Sequence, residues 1–367
     1  MRLDKFTVRN LELVGSMNEG GTSLLQVIDK TVTPMGARML HRWMLFPLKD
    51  PQQISKRQDV VDSFFRNPEQ RETVLEQLQK IGDLERIISK VSARRVTPRD
   101  IVQLRIALQA VEPIKQTCMA AEDETLKEIG RQLDLCADIR DRILREVRPD
   151  PPLLLANGGV IMDGVDAELD ELRRIAYQGK GYLLEMQQRE IEATGIQSLK
   201  IGYNNVFGYY LEVRNTYKDQ VPADWIRKQT LAQAERYITQ ELKDKESTIL
   251  GAADKVCSLE YEVFSQVRAV VAEAGERLQK TAALLAELDV YRSLSQVAAT
   301  NHYVRPTVDL SDRISIVDGR HPVVEQFVKD SYFVPNDTEL DTTHNRLMLI
   351  TGPNMAGKST YMRQVAL

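Results

Sequence analysis

Apolar positions recur every three or four residues through the first 150 residues, in short runs that open on the same signal. Thr33-Pro34 precedes MGARMLHRWMLF, Asp50-Pro51 precedes QQISKRQDVVDSFF, and Thr97-Pro98-Arg99-Asp100 precedes IVQLRIALQAV. Each puts a capping side chain just before a proline at the first helical position, where the missing N–H costs nothing. Asp100 stands where the acid of a capping box belongs. Ile101, Leu104, Leu108 and Val111 then keep helical spacing. The pattern predicts an all-helical core, broken at Pro149, Pro151 and Pro152.

Two longer runs follow. From Asp163 to about Thr194, Val165, Leu169, Leu172, Leu183, Met186 and Ile191 line one side, with ELDELRR as a solvated face. From about Thr239 to Thr300 a proline-free run places Leu242, Ile249, Val256, Leu259, Val263, Val267 and Val270 at steps of three, four and seven. Gly251 and Gly275 are the places where it can bend. At ~1.5 Å per residue such helices span tens of ångströms, and they read as two arms carrying the segment between them. An ordinary bundle would show the same stripe.

The segment between the arms has a different texture. SLKIGYNNVFGYYLEVRNTYKDQVP, residues 198–222, clusters β-branched and aromatic residues around an Asn204-Asn205 turn. Val206, Tyr209, Leu211 and Val213 suit a pleated surface, and Gly202 and Gly208 suit a curved one. Beyond Pro222, the first half of DWIRKQTLAQAERYITQELKD fits strand and helix alike. After Asn301, RISIVDGRHPVVE and FVPND read as short strand-and-turn pieces. RLMLI, residues 346–350, has no alternation, which predicts a strand buried on both faces of a mostly parallel sheet.

Length and composition narrow the class. A chain of 367 residues holds two or three domains, and 43% hydrophobic with 28% charged residues is ordinary for a globular protein. The net charge of -4 and a pI near 5.8 leave no global basic field, so nucleic-acid contact requires a local patch. Residues 197–240 hold six Lys or Arg against four Asp or Glu, a net of +2, which equally suits a solvated surface. No stretch of about 18 uninterrupted apolar residues predicts a membrane span, and MRLDKFTVRNLELVG has no signal-peptide core. Cys118, Cys136 and Cys257 lack metal-ligand spacing and read as reduced, buried thiols of a cytosolic protein.

The strongest motif is Gly352, four residues, then Gly357-Lys358-Ser359. Glycines let the backbone turn tightly towards phosphates, and consecutive N–H groups at a helix start favour anions. Lys358 is then the group for the β- and γ-phosphates and Ser359 the Mg²⁺ ligand, which makes ATP and Mg²⁺ the expected cofactors. Asn354 is placed for the γ-phosphate or an attacking water. His321, in GRHP, reads as a structural turn residue.

TGPNMAGKSTYMRQ closely resembles the ATPase loop of the MutS family of DNA mismatch-repair proteins, and the resemblance runs back along nearly the whole chain. LDKFTVRNLELV, GTSLLQVIDKTVTPMGARMLHRWMLFPLKD, DLERIISK and PRDIVQL are similar to its core. GGVIMDGVDAELDELR looks like the start of its lever, IGYNNVFGYYLEV and WIRKQTLAQAERYITQELKD like its clamp, and GRHPVVE and FVPND like its nucleotide-domain entrance. The resemblance implies a mainly α fold with a small β-rich insert, long lever helices and the start of an α/β P-loop ATPase domain. It implies a helical core over 1–162, a first lever helix over 163–196, a clamp over 197–240, a second lever and return over 241–303, and the beginning of an ABC-type ATPase domain over 304–367.

In this picture Gly352, Pro353, Asn354, Met355, Ala356, Gly357, Lys358, Ser359 and Thr360 hold nucleotide, and Phe333 stacks on adenine. Lys358, Ser359 and Asn354 carry the chemistry. The clamp grips the DNA backbone without reading bases, through Lys200, Asn204, Arg214, Arg227, Lys228 and Arg236, while Tyr203, Tyr209 and Tyr210 pack or stack. The implied partners are duplex DNA with mismatches or small loops, a second copy of the chain and a MutL-type protein, in the cytoplasm at the nucleoid. The family's mismatch-reading domain and most of its ATPase domain have no counterpart here, so this stretch is expected to bind nucleotide weakly without turnover. A MutS-like ATPase that encircles DNA in recombination is the alternative. A coiled-coil chromosome-structuring ATPase fits less well, because its loop precedes the coil, whereas here the loop follows.

Overall fold

Capping decides where the helices begin. The computed structural model describes residues 2–204, 206–328, 333–354 and 356–367, with backbone alone at 179 and 180. Helix α1 (Lys5–Asn10) starts on the carboxylate of Asp4, and α2 (Leu24–Ile28) on a capping box of Ser23 and Gln26. Helices α3 (Pro34–Leu45) and α4 (Pro51–Arg66) begin on Thr33 and Asp50, each with proline at the start of the first turn. Helices α5 (Pro68–Leu78) and α6 (Leu84–Ser92) follow, then α7 (Pro98–Ala120). At its start Thr97 N–H reaches Asp100 Oδ2 (2.9 Å) and Asp100 N–H reaches Thr97 Oγ1 (3.2 Å), the reciprocal box that the sequence predicts. Helix α8 (Glu124–Gln132) is capped by Asp123, and α9 (Ala137–Glu146) precedes the prolines.

Helix α10 (Ala167–Thr194) runs from an Asp166 cap to Gly195 in left-handed geometry. Four strands come next: β1 (Lys200–Asn204), β2 (Gly208–Arg214), β3 (Ile226–Thr230) and β4 (Ala234–Ile238), an antiparallel sheet in the order β1-β2-β4-β3. The ambiguous first half of the stretch after Pro222 therefore holds strand β3, and a short bend at residues 231–233 leads into β4. Helix α11 (Gln240–Glu273) follows, then α12 (Gly275–Asn301). The predicted continuous run breaks at Ala274, while Gly251 sits inside α11 without interrupting it. Strands β5 (Ile314–Gly319) and β6 (Asn336–Leu340) pair antiparallel, and α13 (Lys358–Ala366) ends the chain.

The chain forms two units. One comprises Met1–Ser92, Gln103–Arg140 and Ala274–Leu367. Its axis is α12, where Leu285, Leu288, Val290, Tyr291 and Val297 are buried together with Asp289, Arg292, Ser293 and Ser295. Helices α2 to α6 pack around it. A helix buried on all sides is normally apolar throughout, and the polar residues here each have a task. The fully buried Asp289 carboxylate accepts from the N–H groups of Val32 (3.0 Å) and Thr33 (2.8 Å) and from Thr33 Oγ1 (2.7 Å). Arg292 pairs with it at 3.2 Å and donates to the Lys30 carbonyl and to Gln296 Oε1. Ser293 Oγ accepts from Lys30 N–H (2.8 Å) and donates to the Ile28 carbonyl (3.1 Å). Residues 30–33, beyond the end of α2, form no regular ladder, and α12 supplies partners for their backbone N–H groups. Thr33 Oγ1 in turn accepts from Gly36 N–H, so the same knot caps α3.

The other unit comprises Ala93–Val102 and Asp141–Glu273. Helices α10 and α11 run antiparallel, as the pairings Tyr182 with Glu241 and Arg173 with Glu260 require. At ~1.5 Å per residue they extend about 42 and 51 Å. The sheet joins the C-terminal end of α10 to the N-terminal end of α11. Leu211, Val213, Trp225 and Tyr237 bury one side of it against Leu183 and Met186 of α10 and Leu242 and Ile249 of α11. The buried seam of α11 differs from the predicted stripe. Glu260, Phe264 and Val271 are buried in it, whereas Val256, Leu259, Val263 and Val270 are half-buried. The seam turns because Glu260, fully buried, accepts from Val160 N–H (3.0 Å) and pairs with Arg173. Arg173 also donates to the Ile161 carbonyl (2.7 Å) and Asp163 Oδ1 (2.8 Å). The sequence pattern places Arg173 on a solvated face, but it turns inward because Glu260 needs a counter-charge.

One expectation is corrected. Residues 346–350 are not a strand: no described strand pairs with them, and Leu347 (89%) and Leu349 (83%) are largely exposed. An apolar run becomes a two-face-buried strand only when neighbouring strands and covering layers take up its backbone and side chains. Of the three cysteines, Cys118 and Cys136 are buried as expected and Cys257 only partly. Burial pushes the Cys118 thiol up to about 12.

The Asp289 knot makes two measurable demands. Asp289→Ala strands the buried Arg292 and should lower stability by about 3–5 kcal/mol in urea unfolding. A Cβ on Gly36 would lie 2.5 Å from Asp289 Oδ2, so Gly36→Ala should cost about 1–3 kcal/mol. A loss below about 1 kcal/mol for Asp289→Ala would mean that the knot does not organise this unit.

Candidate functional site

The phosphate-loop pattern lies at the start of α13. Gly352 (φ 152°) and Gly357 (φ 85°) both have positive φ, and Gly357 ends the loop in left-handed geometry as the N-cap of the helix. Having no side chain, it leaves the first turn of α13 without a side-chain cap. Pro353, Asn354, Ala356, Gly357 and Ser359 are exposed, and Lys358 and Thr360 half-buried. Met355 lies outside the described residues. The Lys358 ammonium folds back onto its own loop, donating to the carbonyls of Gly352 and Pro353 (2.8 Å). Together these features fit an anion: a glycine hinge, uncapped N–H groups at the positive end of a helix, and a lysine resting on exchangeable acceptors.

Side-chain contacts hold α13 in its unit. Tyr361 shares a 2.7 Å hydrogen bond with Thr338 of β6, and Arg363 pairs with Glu12 at 2.9 Å. Glu12, at φ 51°, also accepts from Met17 N–H (2.7 Å) and Ser16 Oγ (3.0 Å). The Met17 N–H, ahead of Ser16 and Arg363, holds its carboxyl below the usual range. Phe333 is half-buried three residues before β6. His321 is buried, and its Nδ1 accepts from Val323 and Val324 N–H (3.3 Å each), a turn-capping role. Burial, chiefly, holds its pKa down.

The second candidate region is the four-stranded sheet. Residues paired across antiparallel strands share a face. The register Lys200↔Glu212↔Arg236↔Gln229 therefore lays a row of charge on the face opposite Leu211 and Tyr237. Asn204 and Arg214 share that face but stand at opposite ends of the β1–β2 ladder, about 20 Å apart at ~3.3 Å per residue. Arg227 pairs with Tyr237 on the other face, and Lys228 sits in the irregular step of β3. Asn205, the other half of the expected turn, lies outside the described residues.

The cations differ in commitment. Arg236 is tied to Glu212 Oε2 (2.9 Å) and Gln229 Oε1 (2.9 Å), and its guanidinium lies 4.2 Å over the Tyr210 ring. Arg227 bridges to Glu235 at 3.2 Å. Lys200, Arg214 and Lys228 are exposed and make no ion pair among the described residues. Tyr210 is buried, Tyr209 half-buried, and Tyr203 exposed against Tyr209 in an edge contact of 5.1 Å. Both glycines are close approaches: a Cβ on Gly202 would meet the Tyr210 ring at 2.7 Å, and one on Gly208 would collide with the Glu246 carboxylate.

Three charged residues escaped the sequence reading. Arg173 and Glu260 tie α10 to α11, Glu12 ties α13 to the segment after α1, and each looks like a surface charge in the sequence. The only local signal is for Glu260, whose position falls on the α11 seam.

Comparison with known proteins agrees with the resemblance. MutS domain III matches over residues 6–295. The DNA mismatch repair protein MutS of Phocaeicola vulgatus is 58% identical over the whole chain, which spans 42% of that relative. The proteins of the same name from Bacteroides thetaiotaomicron and Parabacteroides distasonis are 57% and 58% identical, again over the whole chain and over 43% and 42% of their own lengths. The chain thus spans less than half of the curated relatives it matches. Carrying a domain III match over most of its length, beside a glycine-hinged phosphate-loop motif and a four-stranded sheet borne by two long helices, this chain belongs to the MutS family.

Proposed function

We propose that this chain works in DNA mismatch repair, as the core, levers and clamp of a protein that closes on duplex DNA as a dimer and switches state on binding ATP. The relatives carry the name of that activity. The reading assigns 1–162 to a core, 163–196 and 241–303 to levers, 197–240 to a clamp and 304–367 to the beginning of an ABC-type ATPase domain. The partners would be mismatched or looped duplex DNA, a second copy and a MutL-type protein, at the bacterial nucleoid. What carries the reading is one combination: cations without acidic partners on a sheet held at the ends of two long helices, in a chain whose other unit bears a phosphate loop.

Each group has a role under this reading. The N–H groups of Gly357 to Thr360 receive phosphate oxygens, and Lys358 exchanges the carbonyls of Gly352 and Pro353 for them. Ser359 holds Mg²⁺, Asn354 meets the γ-phosphate or a water, and Phe333 stacks on the base. Bound Mg²⁺ supplies charge neutralisation at the β- and γ-phosphates. On the sheet, Lys200, Arg214 and Lys228 with Asn204 meet backbone phosphates, which positions the protein without reading sequence. Arg227 and Arg236 contribute less, because an acidic neighbour already takes up the charge of each. Coupling between loop and sheet requires an element with two discrete arrangements, for which the long helices are the candidates.

Three outcomes test this. Lys358→Ala should weaken ATP binding at least about tenfold in equilibrium titration while the melting temperature stays within a few degrees, since the side chain makes only loop contacts. Replacing Lys200, Arg214 and Lys228 by Gln should weaken binding to a duplex equally for matched and mismatched sequence and make the salt slope about 2–3 units shallower, whereas Arg236→Gln should change the slope by less than one. The residence time on closed-end DNA should change when ATP is added, and an identical time would refute the coupling.

A further inference from the structure

A large cavity in the helical unit belongs neither to the phosphate loop nor to the sheet. It encloses about 750 Å³ between the end of α3, the outer side of α4, the later turns of α12 and the segment Tyr303–Pro306. That volume is within the rough 300–1,000 Å³ range of small-molecule sites. The walls are mainly apolar: Trp43 from α3, Ile54, Val61 and Phe65 from α4, and Leu294 and Ala298 from α12. The fourth wall is strapped on, since Gln58 Nε2 donates to the Pro306 carbonyl (3.0 Å) and Arg305 pairs with Asp59 (2.7 Å).

One cation faces this apolar space. Arg57, half-buried on α4, stacks its guanidinium 3.4 Å from the Trp43 ring centroid. The other two charged groups of the lining are already matched: Arg305 by Asp59, and Asp62 by Arg66 at 2.8 Å. No carboxylate lies within ion-pair distance of Arg57 among the described residues. The Tyr291 hydroxyl is within hydrogen-bond reach of it and donates onward to Glu287 Oε1 (2.7 Å), a carboxylate that acts on Arg57 only from beyond that hydroxyl. Burial is the main influence on this guanidinium and disfavours its charged form. A charge withdrawn from water without a direct counter-ion is costly, and a ligand anion that reached it would remove that cost. A stacked guanidinium presents its edge N–H groups in a fork that matches a carboxylate.

We infer that this cavity is a binding site for a small amphipathic monoanion, a flat apolar body carrying one carboxylate, with the carboxylate on Arg57 and the body between Trp43, Phe65 and Ala298. The relatives' name assigns no such ligand, and the site shares no residue with those proposed for nucleotide or DNA. The one-to-one stoichiometry follows from charge: Arg57 is the one lining cation without an ion-pair partner among the described residues.

The test uses 2-naphthoate and its neutral counterpart 2-naphthamide, titrated by calorimetry into the full-length protein. Saturable one-to-one binding of naphthoate is expected, with naphthamide at least about tenfold weaker. Arg57→Gln should bring the two to similar affinity. Ala298→Trp, which fills the space from α12, should abolish both. Trp43 fluorescence should respond to naphthoate, and the response should vanish in Trp43→Phe. Equal affinity of the two compounds for the unaltered protein would overturn the inference. So would undiminished naphthoate binding in Ala298→Trp, or no saturable binding below about 1 mM. The comparison of the two compounds needs no variant, so it decides the matter even if a substitution fails to fold.

Discussion

The carboxylate of Asp289, sealed from water on α12, is what the segment before α3 hangs on. Residues 30–33, just past the end of α2, have no strand or helix to satisfy their N–H groups, and they lie against a buried helix. Asp289, Arg292 and Ser293 provide donors and acceptors at three positions along one face, more than 250 residues away in sequence. The charges compensate each other, so neither is orphaned. Gly36 follows from the same geometry, since its missing Cβ leaves room for the Asp289 carboxylate. With α3 capped through Thr33, the knot sets where α3 starts, how it meets α12, and thereby the floor on which the Trp43–Arg57 cavity is built.

The other unit repeats the device at the base of its helix pair. Glu260 and Arg173 lock α10 to α11 and to the backbone of residues 160 and 161. At the far ends of the same helices, an apolar cluster around Trp225 and Tyr237 holds the sheet. The two helices are thus tied to each other at two places along their length. The cations on the sheet divide along the same line of reasoning. Arg236, wedged between Glu212, Gln229 and the Tyr210 face, helps to hold the sheet, whereas Lys200, Arg214 and Lys228 are exposed and make no ion pair among the described residues.

Much of this was legible locally. Thr33, Asp50 and Thr97 announced three helix starts because a cap bonds within three residues of itself. Strands β1 and β2 were legible from aromatic and β-branched alternation, and the glycine-lysine-serine loop from its spacing. Strands β3 and β4 were not, because IRKQT and AERYI carry no clear period; pairing with β2 decided them. Residues 346–350 show the converse. Their composition asks for a buried strand, yet a strand is made by its neighbours, and none of the described residues pairs with them.

The sequence by itself determined whatever closes within a few residues: capped helix starts, the turn glycines, the glycine-hinged loop before α13 and the family resemblance carried by unbroken motifs. Only the tertiary structure decided which charges are buried. Glu260, Asp289, Arg292 and Arg173 lie in helical runs whose local pattern treats a charge as solvated. The reason is physical. A buried charge is tolerated only when partners converge on it from remote parts of the chain, and that convergence exists only once the chain has folded.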